Sequence, residues 1–487
     1  MNDLDKVESI LFSQEKRFRL VDIPGAGRGL ISTSLIQPGD IILRDKPVIL
    51  GPGVAEDGTY CSGCGDISGS NLNLMENCSC GLRFCSVSCK QSWHTEEECR
   101  IVSSIPEPKP NQNYWLITLR GLVSEDPRIG FLQELTVQEG AGRSKEEDEV
   151  VKLLSSFGFK EKSILTVYRQ LTANTFRRGR GRGLCAGVAM VNHSCSPNSR
   201  VWWDESGSLV LSARVKITPG DEITLTYCSP LLGQPSRRNK LLQSKGFICR
   251  CPRCQDGTEL GTYMSSIRCT KCKPGLICPV GLDEDKLGWI CSSCGFKPNP
   301  EKVSGLLKKV EDELYGLEKE KDPGRKLLLI QQYIEKNKKL FSSDHFLQLR
   351  AGDLMVGLMN KLAPSTSCIQ TKEYYTRQTL KVLETLDPGL SRFKGFQLFK
   401  LYQILFEKIV HSAQGSLKAE EQFQLVQDMQ TSLLESKFLL SGDRFAPPEI
   451  VENANLLVRA LNQEQVEQIQ DKINQKYKIV KSVYQCI

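Results

Sequence analysis

Apolar residues change their spacing along this chain, and the changes divide it. From Arg17 to Ile23 they alternate with polar ones. Asp40–Leu43 and Pro47–Leu50 are short apolar runs, set off by turn residues at Pro24-Gly25 and Pro38-Gly39. Such runs predict strands, with the two later ones as partners of the first. Between 111 and 176 the period lengthens to that of a helix, as in Tyr114, Trp115, Ile117 and Leu122, or Ile164, Leu165, Tyr168 and Leu171. Polar Gln138–Glu149 between them reads as a surface loop leading into a helix. Gly183–Val191 is apolar, too short to span a membrane and suited to a buried segment. It carries Asn192-His193-Ser194-Cys195-Ser196-Pro197-Asn198 into the interior, where each polar group needs a partner. Arg200–Asp204 and Ser208–Ala213 then read as a hairpin, with Trp202 and Trp203 as packing residues. Gly220–Tyr227 reads as a turn leading into a strand that ends in a tyrosine. From about 301 the helical period persists. Helices are expected at 370–386, 394–413, 417–440 and 463–477, with breaks at Pro323-Gly324, Pro388-Gly389 and Pro447-Pro448. That predicts an antiparallel helical array, in which no clean repeat is visible.

The chain has 487 residues, 40% hydrophobic and 25% charged, enough for several domains with substantial cores. A net charge of +7 over this length does not argue for nucleic acid. Met1–Lys16 lacks the apolar core of a signal peptide, and Cys486 is misplaced for prenylation. The expectation is a soluble, intracellular monomer of the nucleus and/or cytoplasm, with no membrane partner. Arg177–Arg182 holds four arginines. That is a feature either of RNA or acidic-substrate binding or of a solvated loop. Without interleaved aromatics for stacking, it reads as a solvated loop.

Cysteines change the picture most. Twenty occur, mostly as short-spaced pairs, which in a chain of this kind reads as zinc rather than disulfides. The first cluster is Cys61, Cys64, Cys78, Cys80, Cys85, Cys89, His94 and Cys99, enough for two tetrahedral sites. In a small polar segment the metal supplies folding energy, so this reads as a closed structural module. Cys249, Cys251 and Cys254 supply three thiolates and need a fourth ligand, for which Cys195 of the central stretch is the candidate. Cys269-x2-Cys272 and Cys291-x2-Cys294 form a zinc ribbon. This accounts for about four zinc ions. Cys185, Cys228, Cys278, Cys368 and Cys486 are left as free thiols. His345 and His411 read as surface or packing residues.

Three motifs stand in order: Gly25-Ala26-Gly27-Arg28-Gly29-Leu30, then Asn192–Asn198, then Gly220–Tyr227. The first alone is equally a simple strand-to-strand turn. Together, and with the cysteines, they resemble the SET and MYND domain-containing family of the arthropod type. The resemblance implies an α+β protein with a SET-type β fold. Its parts would be an N-terminal SET segment at 17–55, an inserted MYND zinc finger at 61–99, a helical insert at 100–182 and a SET core at 183–230. A post-SET zinc segment at 231–260, a zinc ribbon at 265–298 and an all-α, tetratricopeptide-like domain at 301–487 would follow. In the MYND order, Cys78-x-Cys80 and the short Cys89–Cys99 spacing are departures, and they leave the ligand set of the second site open at Cys78 or His94.

The family's activity is S-adenosylmethionine-dependent methylation of a protein lysine, so a protein substrate with a target lysine is implied. The acceptor amine must be neutral, and burial in an apolar channel beside a sulfonium lowers its pKa. By the resemblance, Tyr227 is the catalytic residue that orients the amine. Gly27, Arg28, Asn174, Asn192, His193, Tyr227 and Phe247 hold the cofactor, Asn192 and His193 largely through backbone, and Phe247 by stacking on the adenine. Leu184-Cys185-Ala186 departs from the family's Leu-Tyr-Pro and bears on the lysine channel. A second reading is a SET–MYND scaffold or transcriptional corepressor, weak or inactive as an enzyme, binding peptides through the MYND finger. A nucleic-acid-binding zinc protein ranks last.

Overall fold

The computed structural model describes residues 3–12, 16–53, 60–65, 76–106, 112–134, 143–281, 287–412 and 418–479. The strand Phe18–Ile23 folds straight back on Gly27–Ser32. The turn between them holds Gly25 and Gly27 at φ of +74° and +72°, a region glycine enters without steric cost. The glycine-rich motif is thus a strand-to-strand turn. Gly27–Ser32 pairs on its other side with Glu222–Leu225, and that strand takes Asn192–His193 as a parallel neighbour. One sheet therefore gathers segments that lie far apart in the chain.

The two apolar runs expected beside the first strand pair elsewhere. Ile41–Asp45 joins Leu209–Ala213, whose other neighbour is Ser199–Trp203, the predicted hairpin. Ile49–Pro52 joins Gly181–Leu184, which pairs with Thr175–Arg178. Local alternation specifies a strand but not its neighbour, and the short turn closes the first hairpin at small loop-closure cost. Between these sheets Leu30, Val188, Val191, Leu211, Ile217 and Ile223 are completely buried. The apolar run 183–191 is interior, as its composition predicts.

The arginine run is solvated only in part: Arg177 and Arg180 are exposed, whereas Arg178 and Arg182 turn inward. It forms the tight end of the hairpin Thr175–Arg178 and Gly181–Leu184. Arg178 is buried, donates to the Cys64 carbonyl, and lies 5.6 Å and 5.9 Å from the Trp203 and Phe445 rings. Arg182 lies 5.8 Å from the Tyr114 ring, and burial lowers its pKa. Guanidinium stems and faces here fill apolar space, as the stacking of arginine on aromatic rings allows. Trp203 is buried and donates to the Arg177 carbonyl at 2.7 Å.

The stretch read as helical from its period carries the helices Gln112–Val123, Lys145–Ser155 and Glu161–Asn174. Part of the polar stretch 138–149 lies outside the described residues. Its end starts a helix through a reciprocal cap, Ser144 with Glu147.

After the core, Gln234–Lys245 is a helix closed by Gly246 at φ +75°. Three antiparallel strands, Ile267–Arg268, Leu276–Val280 and Gly288–Cys291, build the ribbon. Among the described residues eight helices follow: Pro300–Glu318, Pro323–Asn337, Phe346–Met359, Thr366–Leu386, Arg392–Ser412, Ala419–Leu439, Pro448–Ala460 and Gln463–Tyr477. Pro323 and Pro448 stand in the first turn of their helices, where a missing N–H costs nothing. The helix at 448–460 was not among those expected. Its signal was Ile450, Ala454 and Leu457, one helical face behind a proline that reads as a break. His345 is fully buried and stacks on Phe341 at 3.8 Å, while His411 is exposed.

The helical array docks on the SET core through buried polar contacts. Arg214 binds Asp387 at 2.5 Å and the Pro388 carbonyl at 2.6 Å, and Arg200 reaches the Leu439 carbonyl at 2.6 Å. The Arg214 and Asp387 side chains are 3% and 2% exposed. Asp387→Ala leaves the guanidinium buried without its carboxylate and should cost about 3–5 kcal/mol of stability. Chemical denaturation of wild type and variant measures the difference.

Candidate functional site

Four groups of four ligand atoms lie within 4.8 Å of one another: Cys61, Cys64, Cys85 and Cys89; Cys78, Cys80, His94 and Cys99; Cys195, Cys249, Cys251 and Cys254; and Cys269, Cys272, Cys291 and Cys294. Sulfur separations include 3.5 Å for Cys61–Cys89, 3.6 Å for Cys78–Cys99, 3.9 Å for Cys195–Cys249 and 3.8 Å for Cys269–Cys294. A tetrahedral zinc with bonds of about 2.3 Å has ligand–ligand edges of about 3.8 Å, so the donor sets fit zinc. Each set is complete, as in structural rather than catalytic sites. Both Cys78 and His94 fall in the second group, which resolves the ligand left open by the spacing.

A second layer orders these ligands. His94 Nδ1 meets Glu98 Oε1 at 2.8 Å, leaving Nε2 toward Cys78 and Cys80. Burial works against a charged His94, but Glu98 outweighs it and raises the pKa. Arg120 grips the same carboxylate with two bonds, of 2.9 Å and 2.8 Å, and also donates to the Leu50 and Ser62 carbonyls. The finger is thereby fastened to the helical insert. Sequence reasoning missed Glu98 and Arg120. The only signal was an acid four residues after a metal-site histidine.

The group containing Cys195 sits in the interior. Arg237 donates from Nε to Cys195 Sγ at 3.2 Å, and Arg253 approaches the Cys195 carbonyl at 3.4 Å. Both arginines share the buried carboxylate of Glu259, which also accepts from Ser265. Burial opposes that charge, yet the two guanidiniums hold the Glu259 pKa below its ordinary value. Glu259 itself has φ of +49°, a strained backbone that its three partners secure.

Beside it lies the pocket formed by the central motifs. Asn192 donates to Glu222 Oε1 at 3.0 Å, and a Cβ on Gly29 opposite would stand 2.4 Å from Ile23 Cδ1 and 2.8 Å from the Asn192 amide, so a side chain there would push both aside. His193 Nδ1 accepts from the Tyr227 N–H at 2.9 Å, so Nε2 carries the proton toward Cys195 Sγ at 3.2 Å. Burial foremost, with Arg237 and Lys245 adding, takes the His193 pKa down to about 4, keeping it neutral. Tyr227 donates from its hydroxyl to the Val191 carbonyl at 2.6 Å. Burial foremost, then the charge of Glu222, raises its pKa well above the ordinary phenol value. The His193 ring centre is 5.2 Å from that of Tyr227 and 6.0 Å from that of Phe247.

Gly27 and Arg28 lie on the strand next to Glu222–Leu225, and around Gly27 the space is open. Asn174 ends its helix with the side-chain amide turned back to the Gln170 carbonyl at 2.9 Å. Cys185, Cys278 and Cys368 stand outside the four metal groups, whereas Cys228 lies against Cys195 and His193. Cys486 lies outside the described residues. Glu222 and Lys245, both part of this pocket, were not foreseen as site residues. Glu222 stood inside a quoted motif, but nothing marked it as the partner of Asn192.

This sheet, its half-buried histidine–tyrosine pair and the thiol group behind it are those of a SET-domain protein. The SET domain family matches residues 27–228. SET domain-containing protein SmydA-8, isoform B, of Drosophila melanogaster is 28% identical over 306 residues, covering 58% of this chain and 67% of that protein. Histone-lysine N-methyltransferase ASHR1 of Arabidopsis thaliana is 23% identical over 461 residues, covering 80% and 92%. Histone-lysine N-methyltransferase SMYD3 of Mus musculus is 26% identical over 258 residues, covering 47% of this chain and 59% of that protein. The chain carries a SET domain and is similar to SET and MYND domain-containing proteins.

Glu98→Gln should weaken zinc at the site of His94 by about 10–100-fold while the other three groups hold their metal. Chelator competition, followed as zinc released per chain, tests this.

Proposed function

We propose that the chain is an S-adenosylmethionine-dependent protein-lysine N-methyltransferase. The observation that carries this reading is the sheet in which Gly27–Ser32 pairs with Glu222–Leu225, and that strand with Asn192–His193, whose imidazole accepts from the Tyr227 N–H. The open space at Gly27 and the aromatic rim of Phe247 suit a nucleoside carried on a polar chain. Gly27, Arg28, Asn174, Asn192, His193 and Phe247 are the residues that would hold it. When bound, the cofactor supplies a methyl group on a sulfonium. Asn192–His193 is fixed as a parallel strand, so its backbone presents groups to a ligand with little reorganisation.

Tyr227 has one role that its geometry favours. Its proton is engaged by Val191 and its pKa is raised, so it is neither an anion nor a ready base. Its oxygen retains a lone pair for an amine N–H, which orients the amine. A cleft of about 540 Å³ between the SET core and the helical array is lined by Phe176, Trp203, Thr226, Arg392 and Phe445. Thr226 adjoins Tyr227, so this cleft is where we place the protein substrate, whose lysine enters from it. Four complete thiol-rich groups serve as scaffolding and leave the chemistry to the pocket.

Calorimetric titration of S-adenosylmethionine into zinc-loaded protein tests this. Wild type should bind, and Asn192→Ala should bind about 5- to 150-fold more weakly, one lost buried hydrogen bond being worth about 1–3 kcal/mol. Tyr227→Phe should bind normally and lose turnover in a substrate screen. Absence of binding by folded, fully metallated protein would remove the enzyme reading and leave a scaffold.

A further inference from the structure

One cation in the pocket plays no part in the mechanism above. Lys245 is the last residue of the helix Gln234–Lys245, two residues before Phe247 and four before Cys249. Its side chain turns away from solvent. The Nζ donates to the Ala173 carbonyl and lies 4.7 Å from the centre of the Tyr227 ring. Ala173 directly precedes Asn174, at the C-terminal end of the helix Glu161–Asn174, where carbonyls lack helical partners and the dipole favours a cation. A carbonyl oxygen and an aromatic face are what a partly dehydrated ammonium needs. Both of these partners are uncharged. The chain thus places its own lysine ammonium against the tyrosine that, on the reading above, receives the amine of a substrate lysine.

We propose that Lys245 is a specificity-determining residue of the acceptor site, an internal ammonium that an incoming lysine must displace from the face of Tyr227. This rests on the proposed reading of the pocket and adds two consequences to it. A second cation arriving there is repelled, strongly so in a site of reduced dielectric, and so is the positive sulfur of the cofactor. Relative to a pocket without Lys245, the site therefore favours the neutral thioether product over the sulfonium. It also favours acceptors whose flanking contacts in the cleft are strong enough to drive Lys245 out. Burial already draws the Lys245 amine down to about 8, a sign that its charge is held at a cost.

The test compares S-adenosylmethionine with S-adenosylhomocysteine, which differ in the charge on sulfur. Both are titrated into wild type, Lys245→Met and Lys245→Arg, each checked for zinc content and circular dichroism. Lys245→Met should improve the affinity for the sulfonium relative to the thioether by roughly tenfold, a difference of about 1.4 kcal/mol. Lys245→Arg should keep the wild-type ratio. With a lysine-containing peptide pool, Lys245→Met should also raise methyl transfer. An unchanged ratio in Lys245→Met, with both ligands bound, would overturn the proposal and leave Lys245 as a helix cap, which affects both ligands alike. Methylation of Lys245 itself, found by peptide mass spectrometry after incubation with cofactor, would overturn it too, since the residue would then be an acceptor. Failure of every variant, wild type included, to bind either ligand would instead remove the cofactor reading beneath it.

Discussion

The sulfur of Cys195 is the point on which the site depends. It follows His193 by two residues and faces the thiols of a tail more than fifty residues on, at 3.9 Å from Cys249 and 3.5 Å from Cys254. A metal there would tie the segment after the core, which follows the polar helix 234–245, into the interior and supply folding energy to it. The tail so anchored carries both Phe247 and Lys245. Geometry at the pocket is thus inherited from a site that does no chemistry itself.

Buried charge recurs wherever one part of the molecule is fastened to another. Arg237 and Arg253 share Glu259 behind the Cys195 group, Arg120 holds Glu98 behind the finger, and Arg214 holds Asp387 beneath the helical array. Such pairs contribute little net stability against apolar replacements of equal shape, because desolvation offsets the attraction. They have directional requirements that apolar contacts lack. In each case here an arginine also donates to backbone carbonyls, which fixes the orientation of two segments at once. The finger, the tail and the array are positioned by geometry as much as by burial.

Within the pocket, a chain of polar contacts runs from metal group to reactive edge. Cys195 faces His193 Nε2, His193 Nδ1 receives the Tyr227 N–H, and the Tyr227 hydroxyl ends on Val191. Every member is directed by the next, so Tyr227 has little freedom to leave its place. That order is what a displacement reaction needs, since a misplaced acceptor costs more than a weak one. Lys245 stands against the face of this fixed tyrosine, held by one carbonyl and the ring.

The sequence by itself determined the features set by local chemistry. Thiols at short spacing have few ways to reach one ion, so the ribbon and the group of Cys195, Cys249, Cys251 and Cys254 were legible, whereas the second site of the finger stayed open at Cys78 or His94 until the fold grouped its ligands. Glycines at Gly25 and Gly27 marked a turn, and the helical period marked most of the array. Only the tertiary structure decided which strands pair, because alternation is the same whatever lies alongside. It sent Ile41–Asp45 and Ile49–Pro52 to separate sheets. It also buried Arg178 and half-buried Arg182 in a hairpin that reads from composition as solvated. Glu98, Arg120 and Lys245 acquired their roles the same way: long charged side chains carry no periodic signal, and their partners lie up to 72 residues distant. Their meaning comes from what the fold places at the end of each side chain.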